Sequence, residues 1–151
     1  MSVGERTARL ALDWIGTPYL HQADRRGLGC DCLGLVRGVR RELGFADVAV
    51  PAYAPGWGER EAGREPLLDA ARRLLVARDG REPEPGDVIV FRMLAAGPAK
   101  HCGIALGQDA SGRDAFVHAY SGIGTVRSAL SEPWRRRIAG LFAFPQPESA
   151  P

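Results

Sequence analysis

The chain has 151 residues, of which 45% are hydrophobic and 25% are charged, which is the balance of one ordinary globular domain. Twenty basic and eighteen acidic side chains leave a net charge of +2, and no apolar run reaches the roughly 18 residues of a membrane span, so nucleic acid and membrane are excluded as main partners. Three cysteines do not make a disulfide framework and the N-terminus lacks the apolar core of a signal peptide, so we expect a protein that is made in the cytoplasm.

The first half of the chain has the periodicity of helices. Residues 3–15 are predicted to form a helix that ends at a Gly-Thr-Pro segment, and residues 16–31 are predicted to form an ordered loop. A second helix begins at Cys32, with Asp31 as N-cap and Gly44 as C-cap. Its apolar residues recur on one face, namely Cys32, Val36, Val39 and Leu43.

The second half of the chain is predicted to be mainly strands. Residues 45–60 are expected to be irregular, and a third helix is predicted over about 64–78. After a turn, five apolar segments have the composition of strands: 88–91, 101–107, 115–120, 125–130 and 138–144. Helices followed by strands indicate an α+β fold with an antiparallel sheet. We expect one domain over 1–144 and a flexible tail over 145–151.

Cys32 is the first candidate for chemistry. A thiol in the first turn of a helix faces unpaired backbone N–H groups and the positive end of the helix dipole, and both favour the nucleophilic thiolate. Gly34 is predicted to leave space above the sulfur for a substrate. The alternative is that Cys32 is one more small residue on the buried face of the helix.

His101 and His118 lie on strands that are expected to be neighbours. Two adjacent antiparallel strands can place two side chains on one face, about 5 Å apart. If the second helix packs on that face, Cys32 meets both histidines, with His101 as the base and His118 orienting the His101 ring. The alternative for each histidine is a structural role with satisfied hydrogen bonds.

The remaining cysteines and histidine have less definite interpretations. Cys102 alternates with His101 and is therefore predicted to face the core together with Ile104. Cys30 has no clear role, and His21 either lines the cleft or is exposed.

A zinc site is the alternative that uses the same residues. Cys30, Cys32, His101 and His118, or Cys102, supply enough ligands, but a Cys-x-Cys pair is more closely spaced than most zinc ligand pairs. We therefore expect no metal and no cofactor.

Five segments in order resemble the NlpC-type (NlpC/P60) family of cell-wall cysteine peptidases. They are GTPY (16–19), DCLGLV (31–36), PGDVIVF (85–91), KHCGIAL (100–106) and FVHA (116–119). The resemblance implies a papain-like α+β fold with Cys32 as nucleophile, His101 as base and His118 as the third, orienting residue. It also implies that Tyr19 helps to bind the oxyanion, while Asp31 serves as the helix cap.

The chain departs from the family pattern at two places. Leu33 replaces the Ser of the usual D-C-S-G motif, and residues 21–29 replace a glycine pair. Together with residues 51–57 and the PAKHCGIAL segment, the stretch from residue 21 onward resembles the peptidases of phage tails and gene transfer agents. That resemblance implies tail or baseplate proteins as partners and a location in a phage-like particle released by lysis.

The expected function is hydrolysis of peptidoglycan stem peptides, at the bond between γ-linked D-glutamate and diaminopimelate. Arg25, Arg26 or Arg37 could recognise substrate carboxylates. Two alternatives remain: an amidase or acyltransferase that uses the same site, and a tail structural subunit without activity. The 45–60 loop, with Tyr53 and Trp57, is either a docking surface or folded onto its own core.

Overall fold

The computed structural model describes residues 1–50 and 63–146. Three helices precede the main sheet, and each has an apolar face that is buried. They are α1 (Val3–Leu12), α2 (Cys32–Glu42) and α3 (Pro66–Leu74). Residues 51–62 and 147–151, with Tyr53, Trp57 and most of the expected tail, lie outside the described residues.

The strands form a two-stranded hairpin and a six-stranded antiparallel sheet. The hairpin pairs β1 (Asp24–Arg25) with β2 (Gly29–Cys30). The strand order of the large sheet is β3-β8-β4-β5-β6-β7. Its strands are β3 (Val76–Arg78), β4 (Val88–Phe91), β5 (His101–Gln108), β6 (Asp114–Tyr120), β7 (Gly124–Ala129) and β8 (Ile138–Ala143). The predicted α+β fold, helices before an antiparallel sheet, is confirmed.

Three elements differ from the sequence prediction. The third helix ends at Leu74, and residues 76–78, which were predicted as helix, form β3 because they pair with β8 at the sheet edge. The short helix α4 (Glu132–Arg136) and the β1–β2 hairpin were not predicted. All three depend on tertiary contacts that override a weak local preference.

The sheet is covered on both faces. Helices α1, α2 and α3 pack on the face that carries Cys102, Ile104 and Val117. The opposite face carries Phe91 and Phe116, and Trp134 of α4 packs against it. Within the part of the chain that the structure describes, no helix is both long and apolar enough to span a membrane.

A close contact joins α1 to α2. The ring of Trp14, just after α1, is 1% exposed and lies directly over Gly38 of α2. A Cβ at Gly38 would lie 2.1 Å from Cη2 of Trp14. Trp14 Nε1 donates to Glu42 Oε1 at 2.5 Å, which satisfies the buried indole.

The loop before α2 is bonded to strand β7. Gly16 N donates to Thr125 O, and Thr125 N donates to Thr17 O, both at 2.9 Å. The Thr125 hydroxyl also lies 3.2 Å from the sulfur of Cys30. The segment that leads to Cys32 is therefore fixed to the far edge of the sheet.

Candidate active site

Cys32 occupies the first position of α2, as predicted. Asp31 is the N-cap, and its Oδ1 accepts from Gly34 N at 2.7 Å. Its other oxygen accepts from Gln22 N at 2.8 Å, so the buried carboxylate also holds the preceding loop. These bonds fix the helix start and leave the sulfur half-buried at its tip.

The role predicted for Gly34 is wrong. A Cβ there would lie 1.8 Å from the carbonyl oxygen of Ala23, so the glycine admits the loop backbone and not a substrate. Leu33, at the position of the usual Ser, is 3% exposed and belongs to the core.

His101 and His118 lie on adjacent strands and share a face, as predicted. Strands β5 and β6 pair antiparallel, and His101 Nε2 lies 2.8 Å from His118 Nδ1. The expectation that α2 packs on this face is wrong, because α2 packs on the opposite face, with Cys102 and Ile104. The two imidazole rings therefore lie on the face of the sheet that α2 does not cover.

Cys32 still meets His101 because His101 is the first residue of β5. At the end of the strand its ring comes close enough to the tip of α2 for His101 to lower the pKa of Cys32. The same sulfur lies 3.9 Å from the carbonyl oxygen of Lys100. Since Nε2 of His101 is engaged by His118, Nδ1 is the nitrogen left available to Cys32.

The surroundings of Cys32 favour its thiolate. A hydrogen bond from the Cys102 thiol, together with the hydrogen bond and charge of His101, lowers the pKa of Cys32 to about 5, against the opposing effects of burial and of Asp31. At neutral pH the sulfur is therefore ionised and nucleophilic.

A third side chain continues the chain of hydrogen bonds beyond the histidines. His118 Nε2 lies 2.8 Å from Ser128 Oγ on β7. Burial and the positive charge of His101 lower the pKa of His118 to about 3, so its ring is neutral. A neutral His118 accepts the hydrogen bond from a protonated His101 at its own Nδ1. Its single ring hydrogen is then on Nε2, and this N–H donates to Ser128 Oγ. Ser128 was not identified from the sequence, because nothing in its neighbourhood marks it.

Aromatic side chains enclose the two histidines. Trp134 lies 5.8 Å from His101 and 5.3 Å from His118, measured between ring centroids. Phe116 lies 4.4 Å from His118, and Tyr120 lies 5.5 Å from His101. This wall excludes water from the imidazole pair and strengthens the hydrogen bonds within it.

Cys102 faces the core, as predicted, and is 1% exposed. Its sulfur also donates to Cys32 O at 3.3 Å, so this core residue contacts the start of α2. The sequence pattern correctly predicted that Cys102 lies on the face opposite His101. It did not predict which of these two faces α2 covers.

Tyr19 lies beside the site, in a parallel bridge with Cys30. Burial and the negative charge of Cys32 raise the pKa of Tyr19, so its hydroxyl remains a hydrogen-bond donor. Cys30 is fully buried against Thr125, and burial raises its pKa to about 11, which makes it an unreactive core residue. His21 is half-buried, 3.9 Å from Asp31.

The arginines considered as substrate ligands are engaged by carboxylates of the protein itself. Arg25 lies 3.7 Å and Arg37 3.9 Å from Asp24, and Arg26 lies 3.4 Å from Glu42. Residues 1–50 and 63–146 contain no group of three or more potential ligand side chains placed to hold a metal ion, which is the arrangement that the zinc alternative requires.

The geometry is that of nucleophilic catalysis at a carbonyl group. It combines a thiol with a lowered pKa at a helix N-terminus, an imidazole close to it, and a second imidazole hydrogen-bonded to the first. The backbone N–H of Cys32, at the start of α2, and the hydroxyl of Tyr19, whose pKa the charge of Cys32 raises, are the candidate donors to an oxyanion.

The comparisons with known proteins agree on one family. The model of the NlpC/P60 family matches residues 16–142. The comparison with curated proteins gives no match.

Three solved structures of NlpC/P60 proteins have the same fold. A lipoprotein-like NLP/P60 protein of Staphylococcus aureus has a TM-score of 0.60 at 22% identity over 95% of this chain and 43% of its own. NlpC2 from Trichomonas vaginalis has a TM-score of 0.61 at 18% identity, over 93% of this chain and 46% of its own. The NlpC/P60 domain of the peptidoglycan hydrolase SagA has a TM-score of 0.60 at 23% identity, over 96% of this chain and 100% of its own. The chain thus spans less than half of the first two proteins, and the likeness shows the papain-like fold.

Proposed function

Because the chain belongs to the NlpC/P60 family, we propose that it is a cysteine peptidase that hydrolyses the stem peptides of peptidoglycan. The observation that carries the proposal is the convergence of Cys32, His101 and His118 from one helix and two strands. Support for the substrate comes from SagA, a structural neighbour that is a peptidoglycan hydrolase.

The reaction starts from a thiolate on Cys32 and a protonated His101. The sulfur attacks the carbonyl carbon, and the carbonyl electron pair moves to oxygen, where Cys32 N–H and the Tyr19 hydroxyl donate to it. The intermediate collapses with cleavage of the C–N bond, and His101 gives its proton to the leaving amine. Water then attacks the thioester while His101 accepts its proton, and cleavage of the C–S bond restores the thiolate.

His118 and Ser128 assist through His101. A neutral His118 accepts from His101 Nε2, which fixes the ring plane and stabilises the imidazolium. His118 is therefore an orienting residue, and its replacement reduces turnover less than replacement of the nucleophile does.

The bond cleaved in this proposal joins γ-linked D-glutamate to diaminopimelate. The activity belongs to residues 1–144, which we propose to act as one domain. We place the protein in the tail or baseplate of a phage-like particle that cell lysis releases, where other tail proteins are its partners. Support comes from the sequence segments that resemble peptidases of phage tails and gene transfer agents, around residues 21–43 and 98–106.

Digestion of purified sacculi tests the function. The wild-type chain should release fragments that end at γ-D-glutamate, identified by mass spectrometry, whereas Cys32→Ser and His101→Ala should release none while keeping the wild-type melting temperature. Cys30→Ser is the matched control and should retain activity, because Cys30 is buried against Thr125.

Other outcomes redirect the proposal. Release of different fragments that depends on Cys32 would assign the chain as an amidase of other specificity, and transfer to an added amine would make it an acyltransferase. Equal release by the wild type and by Cys32→Ser would refute the thiolate mechanism. No release by the wild-type chain would favour a structural subunit.

A further inference from the structure

We propose that a cavity beside the candidate active site binds a carboxylate of the leaving group through Arg136 and Arg137, and so helps to select the substrate. The inference rests on the proposed function, because it takes the bond that is cleaved to lie in a stem peptide. It deepens that function by assigning residues to the part of the peptide beyond the scissile amide.

The cavity, called here the α4 cavity, lies between the end of β4 and helix α4. Its volume is about 470 Å³, and its walls are residues that follow β4, residues of α4 and the start of β8. Met93 and Ile138 give it an apolar side that packs against the cluster around Phe91. Three of its seven lining residues are arginines, and no carboxylate among the residues that the structure describes lines it. The α4 cavity therefore suits an anionic group on an aliphatic chain.

The α4 cavity is two strands away from His101. In the sheet Phe91 pairs with His101 on one side and with Ile138 on the other, so the backbones of His101 and Ile138 are about 10 Å apart. Helix α4 also carries Trp134, whose ring lies 5.8 Å from the His101 ring. Three residues of extended peptide span about 10 Å, so a peptide that reacts at His101 can reach the α4 cavity.

The face of the sheet decides which part of the peptide arrives there. Phe91 stacks on His101 at 6.0 Å between ring centroids, and Ile138 packs with Phe91, so the α4 cavity is on the His101 face. Cys32 comes from α2, which covers the other face. In the proposed reaction Cys32 retains the acyl part and His101 protonates the leaving amine. The residues after the scissile amide therefore extend from His101 toward the α4 cavity.

The first of the three arginines is already neutralised by the protein. Arg92 Nη1 donates to Glu65 Oε1 and to the carbonyl oxygen of Gly97, both at 2.5 Å. Its side chain is 30% exposed and is held by these two bonds. Arg92 therefore forms part of the wall and is not offered to a ligand.

Arg136 and Arg137 have weaker partners. Arg136 lies 3.7 Å from Glu132, and both side chains are largely exposed, so the pair is screened by water and contributes little. Arg137 Nη1 donates to the carbonyl oxygen of Pro133 at 3.0 Å, and Arg137 forms no ion pair with a carboxylate of the described residues. A guanidinium can bind a carboxylate through two parallel N–H donors, which an exposed single contact does not match.

Calorimetric titration of the Cys32→Ser protein, which keeps the peptide intact, tests the proposal. The ligand is the stem tetrapeptide L-alanyl-γ-D-glutamyl-diaminopimelyl-D-alanine. Two further peptides carry an amide in place of one leaving-group carboxylate, at the diaminopimelate side chain or at D-alanine. One of these amides should bind about tenfold more weakly than the acid, because it cannot form the charge-assisted pair. The peptide that loses affinity identifies the carboxylate.

Variants of the two arginines connect that loss to the α4 cavity. Arg136→Gln and Arg137→Gln, each combined with Cys32→Ser, should bind the acid about tenfold more weakly and the sensitive amide as before. Arg72→Gln is the matched control, because it removes the same charge from an exposed arginine of α3, which packs on the other face of the sheet. It should leave all affinities unchanged.

The other outcomes overturn the proposal. They are absence of binding, equal affinities for the acid and both amides, arginine variants that bind like Arg72→Gln, and a loss that is equal for acid and amide. A lower melting temperature with unchanged binding would assign the two arginines to the stability of α4 instead. Binding needs no hydrolysis, so a wild-type chain that fails to digest sacculi would refute the proposed function while the difference between acid and amide still decides this inference.

Discussion

At the residue scale, the site depends on keeping one buried histidine neutral. His118 is 2% exposed, lies 2.8 Å from both His101 and Ser128, and has a pKa lowered to about 3 by burial and by the charge of His101. A charged His118 could not accept a hydrogen from a protonated His101. The burial that holds His118 beside His101 therefore also keeps His118 uncharged.

This arrangement predicts a loss of stability in acid. The unfolded His118 takes up a proton below about pH 6.5 and the folded one only near pH 3, so the free energy of unfolding should fall as the pH drops through this window. His118→Asn cannot titrate and should lose about 2 kcal/mol less than wild type between pH 6.5 and pH 4.5. Urea denaturation at both pH values measures the difference, and equal losses in both proteins would contradict it.

At the element scale, the contact of Trp14 with Gly38 sets how closely the first two helices pack. The indole ring is buried and bonded to Glu42, so it cannot move aside to admit a side chain on α2. Helix α2 carries Cys32 at one end and this contact in its middle. The contact therefore helps to fix the position of Cys32, the proposed nucleophile.

Gly38→Ala should destabilise the chain despite the higher helix propensity of alanine. The new methyl group would meet the indole at 2.1 Å, and we expect overpacking to lower the free energy of unfolding by about 2 kcal/mol. Gly97→Ala is the control, because its Cβ would lie 3.4 Å from Leu94 Cβ. Urea denaturation compares them, and a Gly38→Ala protein as stable as wild type would show that the helices can separate without cost.

Local sequence patterns predicted the elements that local physics decides. Helix α2 has a capping aspartate and one apolar face, and strand β5 is a short, almost wholly buried apolar segment, so both were predicted nearly to the residue. Strand β3 was predicted as helix because only its pairing with β8 makes it a strand. The contact of Cys102 with the carbonyl oxygen of Cys32 could not be predicted, because it depends on which face of the sheet α2 covers.

At the scale of the whole molecule, the fold gives three free cysteines very different reactivity. Cys32 is half-buried with a lowered pKa, whereas Cys30 is fully buried with a pKa raised to about 11. Cys102 is 1% exposed, and its hydrogen bond to Cys32 together with burial raises its pKa. Only one of the three thiols is both ionised at neutral pH and accessible.

Native labelling should therefore be selective. At neutral pH the folded chain should take up one iodoacetamide, at Cys32, and the chain in denaturant should take up three, because unfolding exposes every thiol. Folded Cys32→Ser should take up none. Intact-protein mass spectrometry counts the adducts, and a second adduct on the folded chain at a similar rate would show that the core does not protect its cysteines.

The bonds of Thr125 to the loop before α2 have a consequence for motion. Strand β7 carries Ser128, and the loop bonded to Thr125 by Gly16 and Thr17 carries Tyr19. An opening of either segment at Thr125 breaks bonds that the two share, so we expect them to open in part as one cooperative unit. The amide hydrogens of Gly16 and Thr125 should therefore exchange at similar rates, and an opening there would disturb the loop that carries Tyr19 and the strand that carries Ser128 at once.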